Sequence, residues 1–320
     1  MPFSNLYLYR YKVTIQPIDT LFLPPYKGSA FRGVFGRVLK NLACLYNPKK
    51  NCNTCQFSQK CAYGYIFETY LSKDEPDFRK HKNAPHPYII VPPLTQTQYF
   101  TKDEKLSFYF TLIGKANDYL PYIIYSFLEM GKRGIGKGRK KFKVISVDAC
   151  FGKYACKEIY DPKKDHLKKI NNCIRYNDFL KKSLPINEIS LVFETPVRIK
   201  RSGNLISPFI PFITLIERLC ERATLLTYYH CGGKNKEYQT FLKGAEKIKV
   251  KESSLYWYDW ERYSAKQGRM KLGGLIGKIT YEGNLKKFLP LLHIGEFIHV
   301  GKATTFGLGK YSLYYEHSTL

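Results

Sequence analysis

Acidic residues are scarce in this chain of 320 residues. Asp and Glu together number 26, against 52 Lys and Arg, so the formal net charge is +26. A charge excess of this size opposes compaction through self-repulsion, and it is typical of proteins that bind a polyanion. The Lys enrichment of thermophilic proteins is the alternative interpretation, but it normally comes with matching Glu, which is missing here. The composition therefore favours nucleic acid as the partner.

Long apolar segments are missing as well. No run approaches the roughly 20 residues of a membrane-spanning helix, and residues 1–16 contain no apolar core of a secretory signal. The nine cysteines are odd in number, and four of them are clustered. This pattern argues against the disulfide framework of a secreted protein. We therefore expect a cytoplasmic protein that has no membrane partner.

The chain does contain enough apolar material for two cores, since 44% of its residues are hydrophobic and 27 Tyr and 21 Phe are present. Its two halves repeat one order of elements, which begins with a strand and an amphipathic helix and ends with a strand, a helix, a glycine-rich turn and a strand. The repeated elements are the strands 7–17 and 189–200, the helices 29–44 and 211–229, and the closing segments 106–147 and 275–315. This order predicts an α+β fold of two tandem ferredoxin-like, RRM-like βαββαβ domains.

The repeat also sets the expected domain boundaries. We assign residues 1–149 to an N-terminal ferredoxin-like domain that carries a cysteine-containing insertion at 44–61. Residues 150–185 are expected to form a Lys-rich linker. Residues 186–320 form the second ferredoxin-like domain, which closes with a carboxy-terminal glycine-rich loop.

Each half closes with clustered glycines between a helix and a strand. Glycine permits positive φ and a close backbone approach, and the neighbouring Lys and Arg add charge that suits phosphate oxygens. A tight helix-to-strand turn is the alternative interpretation. The glycines follow a helix and precede a strand, which is the reverse of a dinucleotide-binding fingerprint. The candidate RNA-binding residues of the two segments are Arg133, Lys137, Arg139, Gly301, Lys302, Thr304, Thr305, Gly307 and Gly309.

Basic residues elsewhere extend this set. Arg32 and Arg37 lie off the apolar stripe of the first helix, and Arg269 and Lys271 follow several aromatic residues in the segment 256–271. Aromatic rings can stack on unpaired bases while cations contact phosphates. The alternative for 256–271 is a hairpin whose aromatic side chains cover a core and whose cations are solvated.

A cysteine cluster follows the first helix. The spacing C-x7-C-x2-C-x5-C is formed by Cys44, Cys52, Cys55 and Cys61. Four thiolates around a central CxxC suit the tetrahedral coordination of structural zinc. An iron–sulfur cluster uses the same ligands, and four unrelated thiols are a third interpretation. We expect a zinc ion that braces the first helix and takes no part in catalysis.

The segment HVGKATTFGLGKY at 299–311 is similar to the carboxy-terminal glycine-rich signature of RAMP proteins, and in particular to the Cas6 family of CRISPR precursor-RNA processing endoribonucleases. Other segments resemble the same family, in order, along nearly the whole chain. They are PPYKGSAFRGVFGRVL at 24–39, PHPYIIVPP at 85–93, GKANDYLPYIIYSFLEMGKRGIGKGR at 114–139, TYYHCGG at 227–233 and DWERYSAKQGRMKLGGLIGKITYEG at 259–283. The family fold is two tandem ferredoxin-like domains, in agreement with the repeat.

This resemblance implies an RNA cut without a metal ion or other cofactor, in which the ribose 2′-hydroxyl attacks the neighbouring phosphate and leaves 2′,3′-cyclic phosphate and 5′-hydroxyl ends. The reaction needs one group to remove the 2′ proton, one to protonate the leaving oxygen and a cation to stabilise the phosphorane. Family members often carry a catalytic His on or just after the first helix, and this chain has none between 29 and 44. The candidate catalytic residues are therefore His230, His299, Tyr26 and Lys27.

The implied partner is the CRISPR repeat RNA of a precursor transcript. Other Cas effector subunits and a second copy of the chain are further candidate partners. The missing first-helix His keeps a second function open, that of a catalytically inactive RAMP subunit that holds RNA in an effector complex. A zinc-stapled RNA-binding protein outside CRISPR defence would share the charge but not the full-length resemblance.

Overall fold

A computed structural model defines two compact units. It describes residues 3–44, 46–48, 52–58, 60–69, 84–152, 155–164, 166–182, 186–201, 204–205, 209–234, 237–264 and 268–315. We call Leu8–Ile174 the N-terminal unit, and Arg175–Leu320 together with Met1–Tyr7 the C-terminal unit.

The first group of elements covers the chain up to the start of the C-terminal unit. In chain order these elements are β1 (Tyr7–Pro17), β2 (Leu21–Phe22), α1 (Gly28–Ala43), the 3-10 turn Cys52–Thr54, the π-helix Gly64–Glu68, β3 (Tyr88–Val91), β4 (Tyr99–Phe100), β5 (Leu106–Ile113), the 3-10 helix Gly114–Tyr119, α2 (Leu120–Arg133), β6 (Phe142–Cys150), β7 (Cys156–Asp161), β8 (His166–Leu167) and β9 (Ile174–Arg175).

The main sheet of the N-terminal unit has the strand order β3-β5-β1-β6, extended by β7 and β8, and β9 also pairs with β1. The central strand β1 is antiparallel to both neighbours, so that Val13 lies opposite Phe108 of β5 and Val147 of β6. From Tyr11 to Pro17, alternate residues of β1 are buried, as the period of a half-buried strand requires. The buried face packs on the apolar stripes of α1 and α2, where the Phe35 ring lies 5.9 Å from that of Phe127.

The segment 150–185, expected as a linker, contains β7, β8 and β9 of this sheet and the 3-10 helix Tyr176–Lys182. A disulfide bond joins Cys150 at the end of β6 to Cys156 at the start of β7, where the two residues are register partners. The sequence does not indicate this bond, because the spacing of these two cysteines does not show that they become register partners on adjacent strands.

The remaining elements belong to the C-terminal unit. In chain order they are β10 (Glu188–Val197), β11 (Lys200–Arg201), β12 (Asn204–Leu205), α3 (Phe212–His230), α4 (Gln239–Leu242), the 3-10 turn Ala245–Lys247, β13 (Lys249–Ser253), β14 (Tyr256–Ser264), β15 (Gly268–Glu282), α5 (Leu289–Ile298), the 3-10 turn Thr304–Phe306 and β16 (Tyr311–Tyr314).

The sheet of the C-terminal unit repeats the order of the first, as β13-β15-β10-β16, with β14 added beside β15. In the central strand, Leu191 lies opposite Ile279 of β15 and Leu313 of β16. The apolar stripe of α3 is buried, including Leu215 and Leu219. Two sheets with this strand order confirm the predicted α+β fold of tandem ferredoxin-like domains. No helix within the described ranges is long and apolar enough to cross a membrane.

Candidate nucleic-acid interface

The glycine-rich loop of the C-terminal unit starts where α5 ends. The last helical residue is Ile298, and the next residue, His299, has a positive φ of 60°. Gly309 also has a positive φ, and a Cβ there would overlap the Val300 carbonyl oxygen. At Gly301, a Cβ would lie 2.5 Å from the Arg198 carbonyl oxygen. Both positions require glycine, for conformation and for space.

This loop is bonded along its length to the end of β10. The backbone N–H of Gly309 donates to the Pro196 carbonyl at 3.0 Å, and that of Lys302 donates to the Arg198 carbonyl at 3.1 Å. The Thr195 hydroxyl donates to the Gly307 carbonyl at 2.8 Å and accepts from the Lys310 N–H at 2.9 Å. Since all four contacts join the loop to one strand end, the loop is a fixed part of the unit.

The predicted RNA-binding residues of this loop divide into two groups. Lys302 is exposed. The side chains of Thr304 and Thr305 are only 5% and 7% exposed, and Gly307 and Gly309 are buried. The outward face of the loop therefore offers one Lys and backbone, while its threonines and later glycines serve its packing.

The candidate catalytic histidines are both inside the C-terminal unit, each at 1% exposure. Nδ1 of His299 lies 3.1 Å from the Leu308 carbonyl oxygen. A carbonyl oxygen can only accept, so Nδ1 donates and the neutral ring has Nε2 as its basic nitrogen. His230 is the last residue of α3, with its ring beside that of Tyr229.

The other two candidate catalytic residues precede α1. Lys27 is fully buried, and its Nζ donates to the Thr95 carbonyl at 2.7 Å and to the Pro25 carbonyl at 3.2 Å. Burial lowers the pKa of this ammonium, and it raises the pKa of the Tyr26 hydroxyl well above its usual range. In this position Lys27 holds two loops together through these carbonyl contacts, and its catalytic role stays a prediction.

The glycine-rich turn of the N-terminal unit is far more exposed. It runs from Gly134 to Lys140. Within it, Ile135 and Lys140 form an isolated antiparallel bridge. The Lys137 N–H donates to the Phe22 carbonyl at 3.1 Å. The exposed cations on and beside this turn are Lys132, Arg133, Lys137, Arg139, Lys140, Lys141 and Lys143. Three of the predicted RNA-binding residues therefore belong to one accessible cationic surface.

The remaining predicted RNA-binding residues lie elsewhere. Arg37 is exposed on α1, whereas the half-buried Arg32 guanidinium lies 4.3 Å from the Phe67 ring centroid and packs against that ring. Arg269 and Lys271 are in strand β15, opposite Tyr263 and Glu261, and their side chains lie outside the described part of the structure.

The cysteine cluster does not have the geometry of a metal centre. Cys44, Cys52 and Cys55 line a cavity of about 240 Å³, while the Cys61 sulfur accepts the Gly64 N–H at 3.1 Å. Within the described residues, no three His, Cys, Asp or Glu side chains are grouped closely enough to hold a metal ion. The four side chains as placed therefore do not fit the predicted zinc or iron–sulfur site.

Two family models match the chain, at residues 6–172 and at residues 191–311. A family described as an N-terminal domain matches residues 6–172. The family described as CRISPR-associated endoribonuclease Cas6 matches residues 191–311, which include the glycine-rich loop. The Cas6 match therefore covers the C-terminal part of the chain, and the family that covers slightly more than half of it is the one described as an N-terminal domain. The chain is also 29% identical over 290 residues to an uncharacterized protein of Archaeoglobus fulgidus, covering 90% of this chain and 91% of that protein.

Solved structures of Cas6 proteins share the fold of this chain. Cas6 of Thermus thermophilus superposes with a TM-score of 0.52 at 13% identity, over 97% of this chain and 99% of that one. A Cas6 product complex gives a TM-score of 0.55 at 13% identity, over 96% and 100%. A partial Cas6-RT-Cas1–Cas2 complex gives 0.60 at 15% identity over all of this chain, which spans 48% of the larger chain.

Proposed function

We propose that this chain binds the repeat RNA of a CRISPR precursor transcript and cuts it. In this proposal the ribose 2′-hydroxyl attacks the adjacent phosphate without a metal ion and leaves 2′,3′-cyclic phosphate and 5′-hydroxyl ends. The observation that carries the proposal is the match of residues 191–311 to the Cas6 endoribonuclease family, in a chain with a formal net charge of +26.

The charge distribution supports RNA binding. Repeat RNA is a polyanion, and cations that contact its phosphates release counterions and gain affinity. Lys137, Arg139 and Lys140 are exposed and form no ion pair within the described residues, whereas Lys132 is engaged by Glu129 at 2.7 Å. The unpaired cations of the N-terminal turn are therefore the first phosphate contacts that we propose.

For the acid–base step we propose His299. The Leu308 carbonyl fixes its tautomer and ring orientation, as an acid–base imidazole needs. Its backbone is held at a φ of 60°, a conformation that costs a non-glycine residue about 1–3 kcal/mol and that often marks a functional position. Because His299 is 1% exposed, this role requires its ring to become accessible when RNA binds, against the four contacts that hold the loop to the end of β10.

A catalytically inactive RNA-binding subunit is the second candidate function. It is favoured by one observation, namely that both candidate histidines are buried while α1 carries no His. Other Cas subunits would then be its partners, as they are in the solved complex that contains Cas1 and Cas2.

Cleavage of repeat RNA from the source genome in EDTA, with the product ends identified, tests the proposal. We expect a single cut that leaves a 2′,3′-cyclic phosphate. Tight binding without a cut would support the inactive-subunit function, and a cut that occurs only with added metal would contradict the proposed chemistry.

A variant at His299 tests the acid–base assignment. The Asn amide can donate to the Leu308 carbonyl as the His ring does, so His299→Asn keeps this contact and removes the titratable ring. We expect the single-turnover cleavage rate to fall by about 10²–10⁴-fold with RNA affinity unchanged. An unchanged cleavage rate would exclude His299 as a catalytic residue.

A further inference from the structure

An exposed aromatic side chain lies beside the cationic turn of the N-terminal unit. Tyr99, in β4, is 67% exposed. It pairs with Phe22 of β2, and the two ring centroids are 4.8 Å apart. Phe22 therefore supports the Tyr99 ring while most of the tyrosine surface stays accessible. A tyrosine this exposed gains little from burial, so it contributes little to the stability of the fold.

The cationic turn is attached to the same two strands. Lys137 donates its backbone N–H to the Phe22 carbonyl, and its Nζ lies 6.0 Å from the centroid of the Phe22 ring. A Cβ on Gly136 would overlap that carbonyl, so glycine is needed for this contact. The exposed Arg139 and Lys140 follow in the same turn. Cations and an accessible aromatic ring thus share one surface.

This surface is held rigidly from below. The buried Lys27 ammonium is bonded to the Thr95 carbonyl, four residues before Tyr99, and lies 5.9 Å from the ring centroid of Phe100. The Leu23 N–H donates to the Gln98 carbonyl at 2.8 Å. Because the backbone around Tyr99 is fixed on both sides, little conformational entropy is lost when a ligand stacks on it.

We propose that Tyr99, supported by Phe22, is a stacking platform for an unpaired base of the bound RNA, with Lys137 and Arg139 on the adjacent phosphates. The inference rests on the proposed RNA-binding function. Every base has a π-face that can stack on tyrosine, while the backbone brings the negative charge that this turn lacks. An apolar protein partner is disfavoured, because the segment 95–98 next to Tyr99 is polar. The nearby Glu104 carboxylate is engaged by the Thr101 N–H and hydroxyl.

The test uses a 12-nucleotide oligouridine RNA with one central 2-aminopurine, whose fluorescence falls when the base stacks. We expect Tyr99→Ala to weaken binding about 5- to 100-fold and to abolish the quenching, with the salt dependence unchanged. Tyr99→Phe should restore both. The matched control is Tyr314→Ala, which removes a 59% exposed tyrosine from the C-terminal unit and should bind as the wild type does.

Three results would overturn the inference. The first is equal affinity and quenching for Tyr99→Ala and wild type, while the wild type still binds and cuts repeat RNA. The second is a loss of heparin affinity in Tyr99→Ala that equals its loss of RNA affinity. Heparin has no bases, so this result would show that the surface binds through charge alone. The third is a wild type that binds no RNA, which would also remove the proposed function. Equal unfolding temperatures of the variants exclude a folding defect.

Discussion

The two glycine-rich segments occupy the same place in the two ferredoxin-like units but differ in their structural role. Each follows the second helix and precedes the last strand of its βαββαβ unit. In the C-terminal unit the loop is packed against the end of β10, with Thr304, Thr305 and Gly309 buried. In the N-terminal unit the turn exposes Lys137 and Arg139.

The difference teaches that a glycine-rich sequence alone does not indicate a ligand-binding loop. Positive φ and close backbone approach serve an internal brace as well as a binding surface. What separates the two segments is the surroundings. Thr195 and the Pro196 and Arg198 carbonyls take up the polar groups of the C-terminal loop, whereas the N-terminal turn keeps its cations in solvent.

The largest expected effect comes from one glycine in each segment. Gly309→Ala places a methyl group onto the Val300 carbonyl at positive φ, so we expect more than about 3 kcal/mol of lost stability. Gly138 also has positive φ, but a Cβ there meets only the flexible end of Lys140, at 3.8 Å. Gly138→Ala should therefore cost about 1–2 kcal/mol. Urea unfolding of both variants measures the difference, and equal losses would contradict the internal-brace role of the C-terminal loop.

The next effect concerns the side chain that holds the C-terminal loop. Thr195→Val keeps the shape of the side chain but leaves the Gly307 carbonyl and the Lys310 N–H without their partner. We expect about 2–4 kcal/mol of destabilisation, because buried polar groups without a partner are costly. Thr195→Ser keeps the hydroxyl and should lose much less. If Val and Ser behave alike in urea unfolding, the hydroxyl does not anchor the loop.

A smaller effect is confined to the N-terminal unit. Reduction of the Cys150–Cys156 bond opens a loop with a sequence separation of six, which the chain-entropy model relates to about 2 kcal/mol. We expect dithiothreitol to lower the unfolding temperature of wild type but not that of Cys150→Ser. Cys173→Ser, which changes a cysteine outside the disulfide bond, is the control and should keep the response. A wild type that is insensitive to dithiothreitol would count against the disulfide.

The smallest effect is a pH dependence at Lys27. Burial lowers the pKa of Lys27 in the folded state below its ordinary value of 10.5. Between the lowered pKa of the folded state and 10.5, the unfolded chain binds more protons than the folded chain. The contribution of Lys27 to the free energy of unfolding therefore rises as pH rises through that window. Lys27→Met removes this dependence. Urea midpoints of both proteins at several alkaline pH values give the comparison, and parallel profiles would show that Lys27 is not desolvated.

Much of the fold could be predicted from the sequence because the two halves repeat. Strand β1 was expected at 7–17 and is Tyr7–Pro17, and helix α3 was expected at 211–229 and is Phe212–His230. The hydrophobic periodicity of these elements in the sequence corresponds to their buried faces in the structure. The order of strands within each sheet followed from the βαββαβ pattern.

The candidate site was harder to predict from the sequence, because the spacing of residues does not show which side chains are buried. Nothing local distinguishes Lys27, whose ammonium binds carbonyls, from a surface lysine such as Lys137. Tyr99 was not predicted as a binding residue, because its partner Phe22 is distant in the chain. The sequence feature that could have indicated it is an aromatic residue beside a short polar segment. The cysteine spacing predicted a zinc site, but the side chains are not brought together as metal ligands in the described residues.

The most direct measurement of the central claim is the salt dependence of repeat-RNA binding. It compares wild type with the triple variant Lys137→Gln, Arg139→Gln, Lys140→Gln and with Lys302→Gln from the other segment. Each lost contact to single-stranded RNA lowers the slope of log affinity against log salt by about 0.7, so we predict a slope shallower by about 2 for the triple variant and by at most about 0.7 for Lys302→Gln. An unchanged slope in the triple variant would contradict the claim that the N-terminal turn is the exposed RNA-binding surface.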